Sequence, residues 1–214
     1  MPELHLPPRQ HIHQIDDDDP LRYYYLAHTR YLYRKRLRMA LASLGEQRFG
    51  RLLEIDYGSG ILLPTLAGIC DDPTGVDIHD KVEQVQLMLG KEGVRANLRQ
   101  GSVLDLPFQE GEFDAVVSLS VLEHLEELEV ALYEIGRVAK PGATIVLGFP
   151  VRNVVTSSFF RLVGYDHMEI HPSSHRDILN AARSEFTYLE VTRFPPLLPI
   201  DLSLYVICRC VKGR

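Results

Sequence analysis

The sequence predicts an α/β protein in which a mostly parallel sheet carries helices on both faces and ends in an antiparallel hairpin. Three observations predict it. Between residues 50 and 150, short apolar runs alternate with stretches of helical period. Beyond residue 186, two strand-like runs follow each other with Pro195, Pro196 and Pro199 between them and no helical pattern, so they must pair antiparallel. The chain has 214 residues, 45% hydrophobic and 24% charged, enough for one sizeable core.

Taken in order, residues 1–19 hold Pro7-Pro8, three histidines and the run Asp16 to Asp19, with little to bury, and are expected to form a flexible arm. Residues 20–214 are expected to form a single domain. Pro20 suits a helix start, preceded by aspartates that favour the positive end of its dipole. Leu26, Tyr33, Leu37, Ala40, Leu41 and Leu44 keep a helical period, and Gly45 is a plausible stop, giving an N-terminal helix over 20–45.

Within the core, 50–150, strands are expected at 51–56, 75–78, 94–98, 113–118 and 144–148. Helices are expected at 62–69, 81–89 and 125–138, with a turn at Pro141-Gly142. Strands joined by helices are parallel and cross over right-handed. Residues 151–185 read as an insert ending in a helix at 177–183, and 186–214 as the terminal hairpin.

A net charge of −6 disfavours a duplex nucleic-acid partner, whose affinity comes largely from Lys and Arg at phosphates. The longest apolar runs, 143–150 and 202–208, are too short to span a bilayer. The N-terminal MPELHLPPRQ has no apolar signal region, and the three cysteines have neither disulfide nor zinc spacing. A cytoplasmic protein is expected. Arg30, Arg34 and Arg38, with Lys35 and Arg36 nearby, read as a solvated helix face or as a contact for an anionic acceptor or a membrane surface.

The chemistry points to Leu53 to Gly60. A glycine turn after a first strand lets backbone approach a ligand, and the following helix offers free N–H groups. Gly58, Ser59 and Gly60 supply the turn. Asp77, 19 residues beyond Gly58 at the end of the second strand, is placed to accept from both hydroxyls of a ribose. A nicotinamide-binding fingerprint needs a third glycine or alanine, and position 63 is Leu63, so an NAD-type oxidoreductase is the weaker reading.

These segments resemble the class I S-adenosylmethionine-dependent methyltransferases, in particular the small-molecule, type 11-like group with one Rossmann-like domain. Leu53 to Gly60 resembles the family's first motif and Gly75 to Ile78 the second. Leu106 to Phe108 with Phe113 to Ser118 resembles the third and fourth, Val121 to Leu125 the signature after the fourth strand, and Glu134 to Ala143 the helix and turn before the fifth. The resemblance implies a seven-stranded methyltransferase fold and transfer of a methyl group from S-adenosylmethionine to a small-molecule acceptor by in-line displacement. It implies Glu54 at the methionine amino group, Gly58, Ser59 and Gly60 along the methionine end, and Asp77 and Ile78 at the ribose. Ser102 and Val103 would lie beside adenine, with Ser118, Leu119 and Ser120 near the sulfonium.

Two residues depart from the family pattern. Asp56 stands where the family has glycine; its carboxyl either crowds the methionine moiety or pairs with the cofactor's amino group. Ser102 stands where an acidic residue is common, and its hydroxyl makes a weaker hydrogen bond. Asp56 keeps open a second reading, a non-catalytic or weakly cofactor-binding member of the fold. If the acceptor is a hydroxyl or ammonium, a base must take its proton. His124 is the first candidate, with helix-start packing as its other reading. His167 and His171 are spaced as a helical metal face with His175, but Pro172 argues for a loop over the site from which His171 or His167 reaches substrate, so no metal is expected. Tyr24 and His28, beside Tyr23 and Tyr25, either line the acceptor pocket or pack the helix on the sheet.

Overall fold

The computed structural model describes residues 2–17, 19–153 and 172–213. Its helices are α1 (Arg30–Leu44), α2 (Leu63–Ala67), α3 (Val82–Lys91), α4 (Leu128–Val138) and α5 (His175–Glu185). Its strands are β1 (Phe49–Ile55), β2 (Cys70–Asp77), β3 (Asn97–Gln100), β4 (Phe113–Leu119), β5 (Ala139–Pro150), β6 (Tyr188–Phe194) and β7 (Tyr205–Val211). They form one seven-stranded sheet in the order β3-β2-β1-β4-β5-β7-β6. The first five pair parallel, and β7 runs antiparallel to both β5 and β6, as the proline-marked hairpin requires.

Alternation along the strands divides the core in two. Leu53, Val116, Ile145, Leu147, Val206, Cys208 and Cys210 face one side and pack with Leu132, Ile135 and Ile178 of α4 and α5. Leu52, Ala115, Val117, Val146 and Ile207 face the other and pack with Leu37, Leu41 and Leu44 of α1 and with Leu66 and Leu89. Cys208 and Cys210 thus share a buried side, as their spacing predicts.

Several elements differ from expectation. The N-terminal helix is broken: Asp19 accepts from the Leu21 N–H at 2.9 Å and caps a 3-10 turn, Pro20–Tyr24, before α1 begins. Gly45, at φ 82°, does end α1. The expected helix from Leu125 starts at Leu128, because Leu125 itself is extended after a 3-10 turn at Leu122–His124. Pro141-Gly142 lies inside β5, whose register against β4 slips between Phe113 and Ala115, a bulge that absorbs the turn-like dipeptide. Ser174 forms a capping box with Asp177 and starts α5 two residues early. His167 and His171 fall in 154–171, outside the described residues.

The N-terminal arm is anchored rather than loose. Ile12 is fully buried. Thr65 Oγ1 accepts from the His5 N–H at 3.1 Å and donates to the His5 carbonyl at 2.8 Å. Glu92 takes His5 Nε2 on one oxygen at 3.0 Å and His11 Nδ1 on the other at 2.5 Å. Burial opposes the charge on Glu92, but the two histidines outweigh it and hold its pKa below the ordinary value. Composition misses this because a few specific anchors, not apolar content, fix the segment.

Candidate active site

The strand order reverses between β1 and β4, so the crevice at their carboxyl ends is where an open α/β sheet takes its ligand. A cavity of about 440 Å³ lies there, within the range of small-ligand sites. Its floor is the end of β1 and the following turn, with Glu54, Asp56, Gly58 and Ser59. Asp77 and Ile78 close one side from β2, Leu119 and Ser120 come from β4, and His124 follows. The arm and α1 supply the rest, including Asp16, Asp19, Tyr24 and Arg36.

The turn is held by Asp77. One of its carboxylate oxygens accepts from the Gly58 N–H at 2.8 Å and the other from the His79 N–H at 3.2 Å. The His79 imidazole completes the lock, donating from Nε2 to the Gly58 carbonyl at 3.0 Å while Nδ1 accepts from the Lys81 N–H at 3.1 Å. Asp77 therefore shapes the glycine turn as well as facing the cavity. Asp56 continues the β1–β2 pairing with its N–H on the Val76 carbonyl at 2.8 Å, and then turns at φ 61°. Ser120, at the end of β4, has φ 62°. Two non-glycine residues in the left-handed region flank the crevice, backbone strain of the kind that gathers at functional sites.

Alternation places Glu54 on the same sheet face as Leu52, under α1. Glu54 is 7% exposed and its Oε2 has no hydrogen-bond partner among the described residues. Burial, and then the neighbouring Asp56 and Asp77, push its pKa well above the ordinary value. Asp56 is an exposed residue that lines the cavity; desolvation first, then Asp77, raises its pKa to about 7. Such a cluster calls for a cationic or donor-rich ligand.

Arg36 faces the acids from α1. Its Nε donates to Tyr24 Oη at 2.9 Å, Nη2 also donates to Tyr24 Oη, and Nη1 donates to Ser120 Oγ at 3.2 Å. The Tyr33 ring lies 4.9 Å and the Tyr205 ring 5.9 Å from its guanidinium carbon. Burial disfavours its charge, but Tyr24, Tyr205 and Tyr33 more than offset that and raise its pKa. Among the described residues no carboxylate forms an ion pair with it, so a cation is left facing the cavity. The sequence reading placed Arg36 only among the basic residues near Arg34, as a solvated face or an anion or membrane contact, although positions 33, 36, 37, 40, 41 and 44 are the i, i+3, i+4 stripe of a buried helix face and Arg36 is its one charged member.

The expected residues divide. Glu54, Asp56, Gly58, Ser59, Asp77, Ile78, Leu119, Tyr24 and His124 all line the cavity. Gly60, Ser102, Val103, Ser118 and His28 do not. Gly60 packs against α3. The Ser102 hydroxyl accepts from the Leu104 N–H at 3.1 Å and Val103 joins the α4-side core. Ser118 is 1% exposed within β4, and His28 lies exposed in the link between the 3-10 turn and α1. Tyr24 is drawn into holding Arg36, and Arg34 donates to the Tyr24 carbonyl at 2.9 Å. The His124 side chain is 41% exposed, with Nε2 3.9 Å from Glu123 Oε1.

A mostly parallel seven-stranded sheet with a switch-point crevice, a glycine turn after β1 and a terminal antiparallel hairpin is a Rossmann-like fold of the methyltransferase type. Residues 53–147 match the family described as Methyltransferase domain. The Ubiquinone biosynthesis O-methyltransferase of Dechloromonas aromatica is 32% identical over 120 residues, 55% of this chain and 51% of that protein. The chain thus spans about half the length of the curated relatives it matches. The N-methyltransferase NodS from Bradyrhizobium japonicum, solved with S-adenosyl-l-homocysteine, matches with a TM-score of 0.67 at 19% identity, over 94% of this chain and 95% of that one. A methyltransferase from Thermotoga maritima matches with a TM-score of 0.67 at 20% identity, over 90% and 94%. At these identities the structural likeness shows the fold.

Proposed function

We propose that this chain transfers a methyl group from S-adenosylmethionine to a small-molecule acceptor. The observation that carries the reading is the pairing of opposite charges across one cavity: buried Glu54 with an unpartnered oxygen on the β1 side, and Arg36 without an acidic partner on the α1 side. An amino-acid moiety has the matching charges. Glu54, with Asp56 beside it, would hold the amino group, Arg36 the carboxylate and Asp77 the ribose. Bound there, the cofactor supplies a methyl group on a positively charged sulfur, whose departure as a neutral thioether needs no acid.

What remains for the chain is to align the acceptor and exclude water. Leu119, Ser120 and His124 line the end of the cavity beyond β4, where the acceptor would enter. The O-methyltransferase name of the curated relatives favours a hydroxyl acceptor, whose proton His124, which lines the same cavity, would receive. Among the described residues no helix is long and apolar enough to cross a membrane, and no group of His, Cys, Asp and Glu could hold a metal ion.

Titration calorimetry with S-adenosylhomocysteine and with NADH tests the reading. Micromolar binding of the homocysteine, lost in Arg36→Met, is expected. NADH binding in its place, or no binding of either, would overturn it.

A further inference from the structure

Arg36 turns into the cavity, and the other basic residues of α1 stay outside it. The helix contains no acidic residue, in a chain whose net charge is −6. Arg30, Arg34 and Arg38 follow one another at i, i+4 spacing along one stripe, with Tyr31 and Lys35 on the stripe beside it. Arg30 and Arg38 are exposed, Arg34 donates to the Tyr24 carbonyl at 2.9 Å, and Lys35 Nζ lies 6.0 Å from the centre of the Phe194 ring. Among the described residues no carboxylate forms an ion pair with Arg30, Arg34, Lys35 or Arg38. Asp16 and Asp19 of the arm face the cavity instead.

Apolar side chains stand out of the same surface. The link from β6 to β7 carries no charge from Phe194 to Ile200. Within it Leu197 is 95% exposed, and across from it Tyr31 is 62% exposed. The Tyr31 and Phe194 rings meet edge-on at 6.1 Å, and Tyr31, Lys35, Arg193, Phe194 and Pro196 line one groove of about 750 Å³ between α1 and β6. Glu46 and Glu190 also line it, Glu190 directly opposite Arg209 on β7. The link is held in shape: Arg193 Nε donates to the Leu198 carbonyl at 2.6 Å and the Leu204 N–H to the Phe194 carbonyl at 2.7 Å. At its end Leu204 lines the cavity beside Tyr205. A soluble polyanion would engage the charges and gain nothing from Leu197. An anionic bilayer takes both, basic groups at its headgroups and apolar side chains at the acyl boundary.

We propose that α1 and the β6–β7 link form a docking surface for an anionic lipid bilayer, with Arg30, Arg34, Lys35 and Arg38 at the headgroup phosphates and Tyr31 and Leu197 in the interface. Docked in this way, the chain holds the Leu204 side of its cavity beside the lipid. The proposal does not depend on which ligand fills the cavity, so it can fail while the cofactor reading stands.

The test is sedimentation of the full chain with vesicles of equal parts phosphatidylglycerol and phosphatidylcholine, and with vesicles of phosphatidylcholine alone. Binding to the mixed vesicles that weakens as salt is raised, and little binding to the neutral ones, is expected. Replacing Arg30→Gln and Arg38→Gln together should lower the partition coefficient about 25-fold, at about fivefold for each charge. Leu197→Ser should lower it about tenfold and leave its salt dependence as it was. The three side chains are exposed, so urea midpoints should stay close to wild type, which separates lost docking from a lost fold. No binding to the mixed vesicles, equal binding to both kinds, or binding that the double variant keeps overturns the proposal. Binding that depends on Arg30 and Arg38 but not on Leu197, and that duplex DNA displaces, would assign the face to a soluble polyanion and overturn it as well.

Discussion

The two glycines of the turn after β1, Gly58 and Gly60, look equivalent in sequence and are predicted to fail in different ways. Gly58 has φ 51° and Gly60 has φ 78°, so alanine at either carries the left-handed penalty of about 1–2 kcal/mol. A Cβ on Gly58 meets nothing within 4 Å, whereas one on Gly60 would lie 2.6 Å from Val85 Cγ1 and 3.0 Å from Met88 Cε. Both contacts come from α3, whose Val85 and Met88 are 1% and 2% exposed and cannot simply swing outward. Overpacking of that kind adds about 1–3 kcal/mol. Gly60→Ala should therefore cost about 2–5 kcal/mol in urea unfolding, against about 1–2 for Gly58→Ala. Ligand affinity should reverse the order. Gly58 faces the cavity and Gly60 does not, so S-adenosylhomocysteine binding by the folded protein should weaken several-fold in Gly58→Ala and hold in Gly60→Ala. Equal urea midpoints for the two variants would refute the assignment of Gly60 to packing against α3.

The arm gives a local prediction. Glu92→Gln removes the carboxylate that holds His5 and His11; because His5 is 59% and His11 30% exposed, the loss is about 1 kcal/mol rather than the full strength of two charge-assisted bonds. Amide exchange over residues 4–15 should speed up about fivefold while α4 is unchanged, and unchanged exchange in the arm would show that Ile12 and Thr65 anchor it alone. The Glu134–Arg137 pair gives an acid-stability prediction. Glu134 accepts from Arg137 at 2.7 Å and from the Leu106 N–H at 2.8 Å, and the Arg137 bond, against opposing burial, keeps its pKa below the ordinary value. A carboxyl depressed in the folded state stabilises above its unfolded pKa and loses that contribution as pH falls through the folded one. Glu134→Ala should cost about 3 kcal/mol at pH 7, and the gap from wild type should narrow at pH 3 in urea unfolding; a gap that does not change with pH would assign the loss to packing.

The sheet was legible because its determinants are local. Alternation, glycine and proline placement, and the absence of a helical stretch between the last two strands each act within a few residues, and together they specify parallel pairing followed by a hairpin. Errors fell where a local signal was overridden by neighbours. Pro141-Gly142 has turn chemistry, yet β4 on one side and β7 on the other keep it in the sheet. The arm has a disordered composition, yet His5 and His11 meet a carboxylate more than 80 positions away, which no window of sequence can display. The cavity was half legible. Glu54, Gly58, Asp77 and Ser120 follow from the turn and the strand ends that precede a ligand, whereas Tyr205 enters only because β7 returns beside β5 and brings its first residue to the same edge, 3.1 Å from the Ser120 hydroxyl.

Position 56 shows why the fold was easier to read than the affinity. The resemblance places glycine there, and the structure supplies the reason: the chain leaves β1 at φ 61°, where a side chain is strained. Aspartate is one of the few residues that tolerates this region, so the turn survives the substitution and the strand pairing at Val76 is kept. The backbone demand and the chemical consequence are therefore separable. Any residue that accepts the left-handed turn preserves the fold, but only an ionisable one adds a carboxyl to a cavity that already holds Glu54 and Asp77. Repulsion among the three must be relieved by a proton or by a cationic ligand, and that choice decides the affinity.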